Sequence, residues 1–139
     1  MIIDKCDDII IVKVFKEYCY DIDVYDKEYI KDFFKEIFVK LKDKYDLNGI
    51  FDVDVYVNLE YGMIIEICPI CDFLDDIDMR IKFHIDSIFL VIINTNSILD
   101  YNDVYYYMGK FYGTYLGLCD SEIIYKDVDK IIKNGIKVC

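Results

Sequence analysis

The sequence contains no alanine, glutamine or tryptophan, a single proline (Pro69), a single arginine (Arg80) and a single histidine (His84). Each scarcity removes a class of explanation. One proline and six glycines that never cluster leave no Pro- or Gly-rich linker and no low-complexity tract, so residues 1–139 read as one domain. Sixteen basic against 27 acidic residues, a net charge of -11, is the wrong balance for phosphate contacts and argues against direct binding of nucleic acid. No apolar run approaches the roughly 18 residues of a membrane-spanning helix. The longest, Ile88 to Ile93, is strand-sized, and Met1-Ile2-Ile3 is followed at once by Asp4, Lys5, Asp7 and Asp8 rather than by the apolar region of a secretory leader. The six cysteines are scattered through a chain long enough to bury a core of its own. They suggest reduced thiols and a cytoplasmic protein that makes no membrane contact. No feature marks an oligomeric state.

What is present is patterning. Ile9 to Phe15 is a short Ile/Val-rich run that predicts a buried strand, with residues 18–25 extending it or returning as an edge. Asp26 is placed as an N-cap with Glu28 in the first turn, and Ile30, Phe33, Phe34, Ile37, Phe38 and Leu41 follow at helical spacing. Lys31, Lys35, Lys40, Lys42 and Lys44 cover the remainder, and Asn48-Gly49 supplies a stop. The period then switches to two, with Phe51, Val53, Val55 and Val57 alternating with Asp52, Asp54, Tyr56 and Asn58. A loop over 58–62 leads into Met63 to Cys68. Ile77 to His84 alternates again and predicts a hairpin with Ile88 to Ile93. Val104 to Met108 and Phe111 to Leu118 flank Gly109-Lys110 as a third hairpin. A closing helix is expected from a cap at Asp120 or Ser121, with Ile123, Ile124, Val128, Ile131 and Ile132 as its stripe and Gly135 after its end. The sum is an α+β fold: an antiparallel sheet of about six or seven strands built from hairpins, with two amphipathic helices on one face.

The chemistry-bearing residues are few. Cys68-Pro69-Ile70-Cys71 has the spacing of a zinc or redox pair, and Cys68 and Cys71 are the candidate metal ligands; zinc would need two more, from Cys19, Cys119, Cys139 or His84. Aspartates Asp72 to Asp78 oppose thiolate formation and hence redox chemistry. His84, the only base for a nucleophilic dyad, lies on the polar phase of its strand beside Asp86, the setting of a surface histidine paired with a carboxylate. Asp21 with Asp23, and Asp52 with Asp54, put carboxylates on one strand face, as Mg²⁺-dependent hydrolysis or phosphoryl transfer requires. Asp52-Val53-Asp54-Val55-Tyr56 resembles the Asp-x-Asp pair of haloacid-dehalogenase phosphatases over those residues alone, without the later lysine motif. Ile11 to Phe15 and Tyr105 to Tyr112 are similar over short stretches to bacterial adaptors of Clp ATPases, and neither likeness assigns a residue a role. No glycine-rich phosphate loop occurs.

Tyr105, Tyr107, Lys110 and Tyr112 belong to a tyrosine-dense hairpin whose amphipathic rings suit protein recognition. The expected function is accordingly a small acidic protein-binding or regulatory module without catalytic activity or cofactor, its partner a protein of basic character. A metal-dependent hydrolase using paired aspartates, and an acidic mimic of nucleic acid, are the alternatives.

Overall fold

A computed structural model describes residues 2–15, 26–45, 47, 49–58, 60–71, 77–117 and 122–138. Expectations for residues 16–25, for the Asn48 stop, for the loop 72–76, for the cap at Asp120 or Ser121, and for Cys19, Cys119 and Cys139 lie outside the described residues. The chain groups into two units, Met1–His84 and Ile85–Cys139.

In the first unit, β1 (Ile2–Cys6) and β2 (Ile9–Phe15) form a hairpin whose turn holds Asp7 at φ 55, a left-handed position that a short polar side chain tolerates. β1 has no apolar alternation because it is an edge strand: Ile3 alone meets the core, and Asp4 and Lys5 are exposed. Helix α1 (Lys27–Lys44) starts where the Asp26 carboxylate accepts from the backbone N–H of Glu28 and Tyr29. It buries Ile30, Phe34, Ile37, Phe38 and Leu41. β3 (Gly49–Asn58) and β4 (Gly62–Cys71) are joined by a turn in which the Asn58 side chain accepts from the Glu60 and Tyr61 N–H.

β4 lies between β2 and β3, antiparallel to both, so β2 and β3 run in the same direction with α1 as their crossover. Both sides of β4 are then occupied, and β5 (Ile77–His84) joins the far side of β3 in parallel. The order is β1-β2-β4-β3-β5. α1 covers the face formed by Val12, Val14, Phe51, Val53, Val55, Ile65 and Ile67, against which Met79, Ile81 and Phe83 also pack.

The second unit is a sheet ordered β6-β8-β7-β9, from β6 (Leu90–Ile93), β7 (Val104–Tyr107), β8 (Lys110–Thr114) and β9 (Ile136–Lys137). A 3-10 turn at Thr95–Asp100 precedes β7. The β7–β8 hairpin turns on Met108 and Gly109, both at positive φ as a type I′ turn requires. Tyr101 packs over Gly113, where a Cβ would fall 2.8 Å from its ring. Helix α2 (Val128–Asn134) buries Val128 and Ile131 against Leu90 and Tyr112.

The expected single antiparallel sheet under two helices is therefore wrong. Among the described residues strand makes up 47%, in two sheets of five and four strands, with one long helix and one short one. Two local causes account for the difference. Ile77–His84 and Ile88–Ile93 do not pair with each other, because each strand finds its partner elsewhere, β3 for β5 and β8 for β6. The closing helix is shortened to seven residues because Ile124 is drawn into an extended bridge with Leu90 (N···O 2.7 and 2.9 Å), as suits a β-branched residue beside a sheet edge.

Candidate functional site

A concavity lies in the first unit, between α1 and β5. It is a groove of about 890 Å³, within the range of ligand sites. Ile30, Phe34 and Phe38 from the helix and Met79, Ile81 and Phe83 from the strand form its floor, and Lys27, Lys31, Lys35 and Lys42 form its rim. The spacing follows from helical geometry. Lysines at i, i+4 and i+8 stand about 6 Å apart, and Lys27 to Lys42 spans about 22 Å at ~1.5 Å per residue.

Each rim lysine is followed by an acid: Glu28 after Lys27, Asp32 after Lys31, Glu36 after Lys35 and Asp43 after Lys42. One residue is a rotation of about 100°, so the acids form a second stripe turned away from the groove. α1 carries six lysines against four acids, and its charges are sorted: four of the lysines face the apolar cleft of a chain whose net charge is -11. The four rim side chains are exposed, and among the described residues none of them has an ion-pair or hydrogen-bond partner. On the opposite flank Lys44 is engaged: its Nζ donates to the Ile3 carbonyl at 3.4 Å and lies 5.5 Å from the Tyr45 ring centroid.

On the sheet face away from α1, the parallel register aligns Asp52 with Arg80, Asp54 with Lys82 and Tyr56 with His84. The two aspartates share that face, as their spacing predicts. Asp54 Oδ1 meets His84 Nε2 at 2.9 Å, and the His84 ring stacks on Tyr56 with centroids 4.4 Å apart and planes 7° from parallel. The histidine does pair with a carboxylate, but from the neighbouring strand rather than from Asp86. Asp86 stands in the following turn at φ 61. The Asp54–His84 contact and the Tyr56–His84 stack support the register of β5 on β3.

Cys68-Pro69-Ile70-Cys71 lies within the end of β4 rather than in a turn after it. Cys68 aligns with Asp52 and Cys71 with Ile50, with a bulge between Ile50 and Phe51. Pro69 falls beyond the β2 pairing, where its missing N–H is tolerated. Cys68 is half-buried with its Sγ 3.9 Å from the Pro69 carbonyl oxygen, while the side chain of Cys71 lies outside the described residues. Among the described residues no group of three or more His, Cys, Asp or Glu side chains is placed to hold a metal ion.

The tyrosine hairpin divides by face. Tyr112 is buried, and Tyr105 and Tyr107, both half-buried, pack with it on the face that α2 covers. Lys110 is exposed at the hairpin tip beside Met108. The opposite face shows Tyr106, 5.1 Å from the Phe111 ring.

Compared with known proteins, the chain matches no protein-family model, no curated protein and no solved structure. Among the described residues no helix is long and apolar enough to cross a membrane. The groove was missed from sequence because its lysines there look like the wet side of a helix. Their i, i+4, i+8 spacing beside Ile30 and Phe34 was a usable signal. That β5 would lie alongside was not visible.

Proposed function

We propose that this protein is a protein-binding module and that the groove between α1 and β5 is its recognition surface. The observation that carries this reading is the sorting of charge on α1, which turns four unpartnered lysines onto an apolar floor. Apolar burial supplies affinity and the rim supplies orientation. A groove about 22 Å long is longer than a small metabolite needs and suits a polypeptide segment lying along it. The net charge suggests a basic partner, but contact at this surface is governed by local charge. At about 0.15 M salt, charges more than ~8 Å away are largely screened.

The test is quantitative capture from source-cell extract with the full chain and with a Lys31→Glu/Lys35→Glu variant of unchanged thermal melt. A specific partner retained by the first and lost by the second supports the reading. Equal retention by both removes the groove as the surface.

A further inference from the structure

We infer that the occupant of the groove is an acidic polypeptide segment that inserts one row of apolar side chains between α1 and β5 and sets its carboxylates against Lys27, Lys31, Lys35 and Lys42. This rests on the groove being the recognition surface and adds the chemistry of the partner. Spread over about 22 Å, a volume of about 890 Å³ leaves a section of about 40 Å², enough for side chains in single file and too narrow for a whole helix about 10 Å across. The partner's backbone therefore stays at the mouth, level with the exposed ammonium groups.

Three classes of anion could meet four lysines, and the geometry separates them. A fatty acid carries one carboxylate and would satisfy one end of the rim, leaving the other lysines beside an alkyl chain. A single-stranded nucleic acid needs a row of open ring faces for stacking, but Phe34 and Phe38 are 1% and 4% exposed, which leaves the half-buried Phe83 as the one floor ring partly open to solvent. A peptide with acidic residues about 6 Å apart, interleaved with Leu, Ile or Phe, satisfies rim and floor together.

The experiment is fluorescence anisotropy at about 0.15 M salt, using the full chain and a labelled synthetic peptide of about 16 residues, the length that spans the groove as a helix. The peptide carries Glu at i, i+4 and i+8 and Leu on the adjoining face. Its controls are the same peptide with Glu→Lys, the same peptide with Leu→Ser, an oligothymidylate and palmitate. The acidic apolar peptide should bind, and both altered peptides should lose at least tenfold. Lys31→Glu/Lys35→Glu should weaken the acidic peptide at least tenfold, while Lys31→Arg/Lys35→Arg retains it. Equal binding of the Glu→Lys peptide, or displacement by oligothymidylate or palmitate, overturns the inference. If the acidic peptide fails while the charge-reversed chain still loses its cellular partner, the acidic assignment falls and the groove reading stands. If the charge-reversed chain keeps that partner, the groove reading falls first.

Discussion

The two units each set a helix on a sheet, and the helices differ in what holds them. α1 has 18 residues, a side-chain cap at Asp26 and five buried apolar residues, so its own sequence starts it and orients it. α2 has seven residues, and its N-cap Asp127 sits at φ 56 with no side-chain cap bond. It is held from outside, by the Ile124–Leu90 bridge before it and by Gly135 and β9 after it. A helix that specifies itself leaves one flank free to be decorated, and that flank is where the lysines and the groove are found. A helix that depends on its sheet has no flank to spare, and the tyrosines beneath it are used for packing.

The largest expected effect strikes the self-specified side. Phe34→Ala empties a fully buried site that also supports the ring of Phe83, 6.3 Å away, and should cost about 3–5 kcal/mol in denaturant unfolding. A loss under about 1 kcal/mol would show that α1 is not the anchor of its sheet. Next comes the dependent helix. At Gly135 a Cβ would fall 2.4 Å from the Ile131 carbonyl oxygen and 3.0 Å from that of Tyr106, both backbone atoms. Gly135→Ala should cost roughly 1–3 kcal/mol and speed amide exchange at Val138, whose N–H donates to the Val104 carbonyl. Unchanged exchange there would mean that α2 and β9 do not rely on this glycine.

Smaller still is the cap. Asp26→Ala should cost about 1 kcal/mol, whereas Asp127→Gly removes no cap bond and relieves a left-handed backbone, so it should cost nothing; equal losses would erase the contrast between the helices. The smallest effect is the exposed Lys137–Asp103 pair, 3.1 Å apart. The hydrogen bond to Asp103, then the charges of Asp103 and Tyr105, raise the Lys137 pKa above its ordinary value. A raised lysine pKa stabilises the fold fully below the unfolded value and loses that contribution as pH rises through the folded one. Lys137→Gln should therefore leave stability at neutral pH slightly lower and flatten its decline above about pH 10.5; a parallel offset at all pH values would contradict the assignment.

Local patterns were legible where the chain repeats one signal over many residues. Asp26 with the Ile30–Leu41 stripe gave α1, the alternation from Phe51 gave β3, and the turn at 58–62 gave its partner. What failed was pairing between distant segments. A turn at Asp86 does not say which strands it separates, and nothing local in Ile77–His84 shows that both sides of β4 are taken and that β3 is the remaining partner. The short edge strands β1 and β9 lack periodicity because most of their side chains are exposed. The candidate site shares this limit. Its lysines and helical floor were readable one by one, but Met79, Ile81 and Phe83 come to it only through the parallel pairing of β5.

The central claim is most directly tested by following the amide resonances of the isotope-labelled full chain as the acidic apolar peptide is added. The account predicts saturable shifts along α1 and β5, led by Lys31, Lys35 and Ile81, with the hairpin 104–114 unmoved. Shifts concentrated at Tyr106, Met108 and Lys110 with α1 silent would contradict it and would place recognition on the tyrosine hairpin instead.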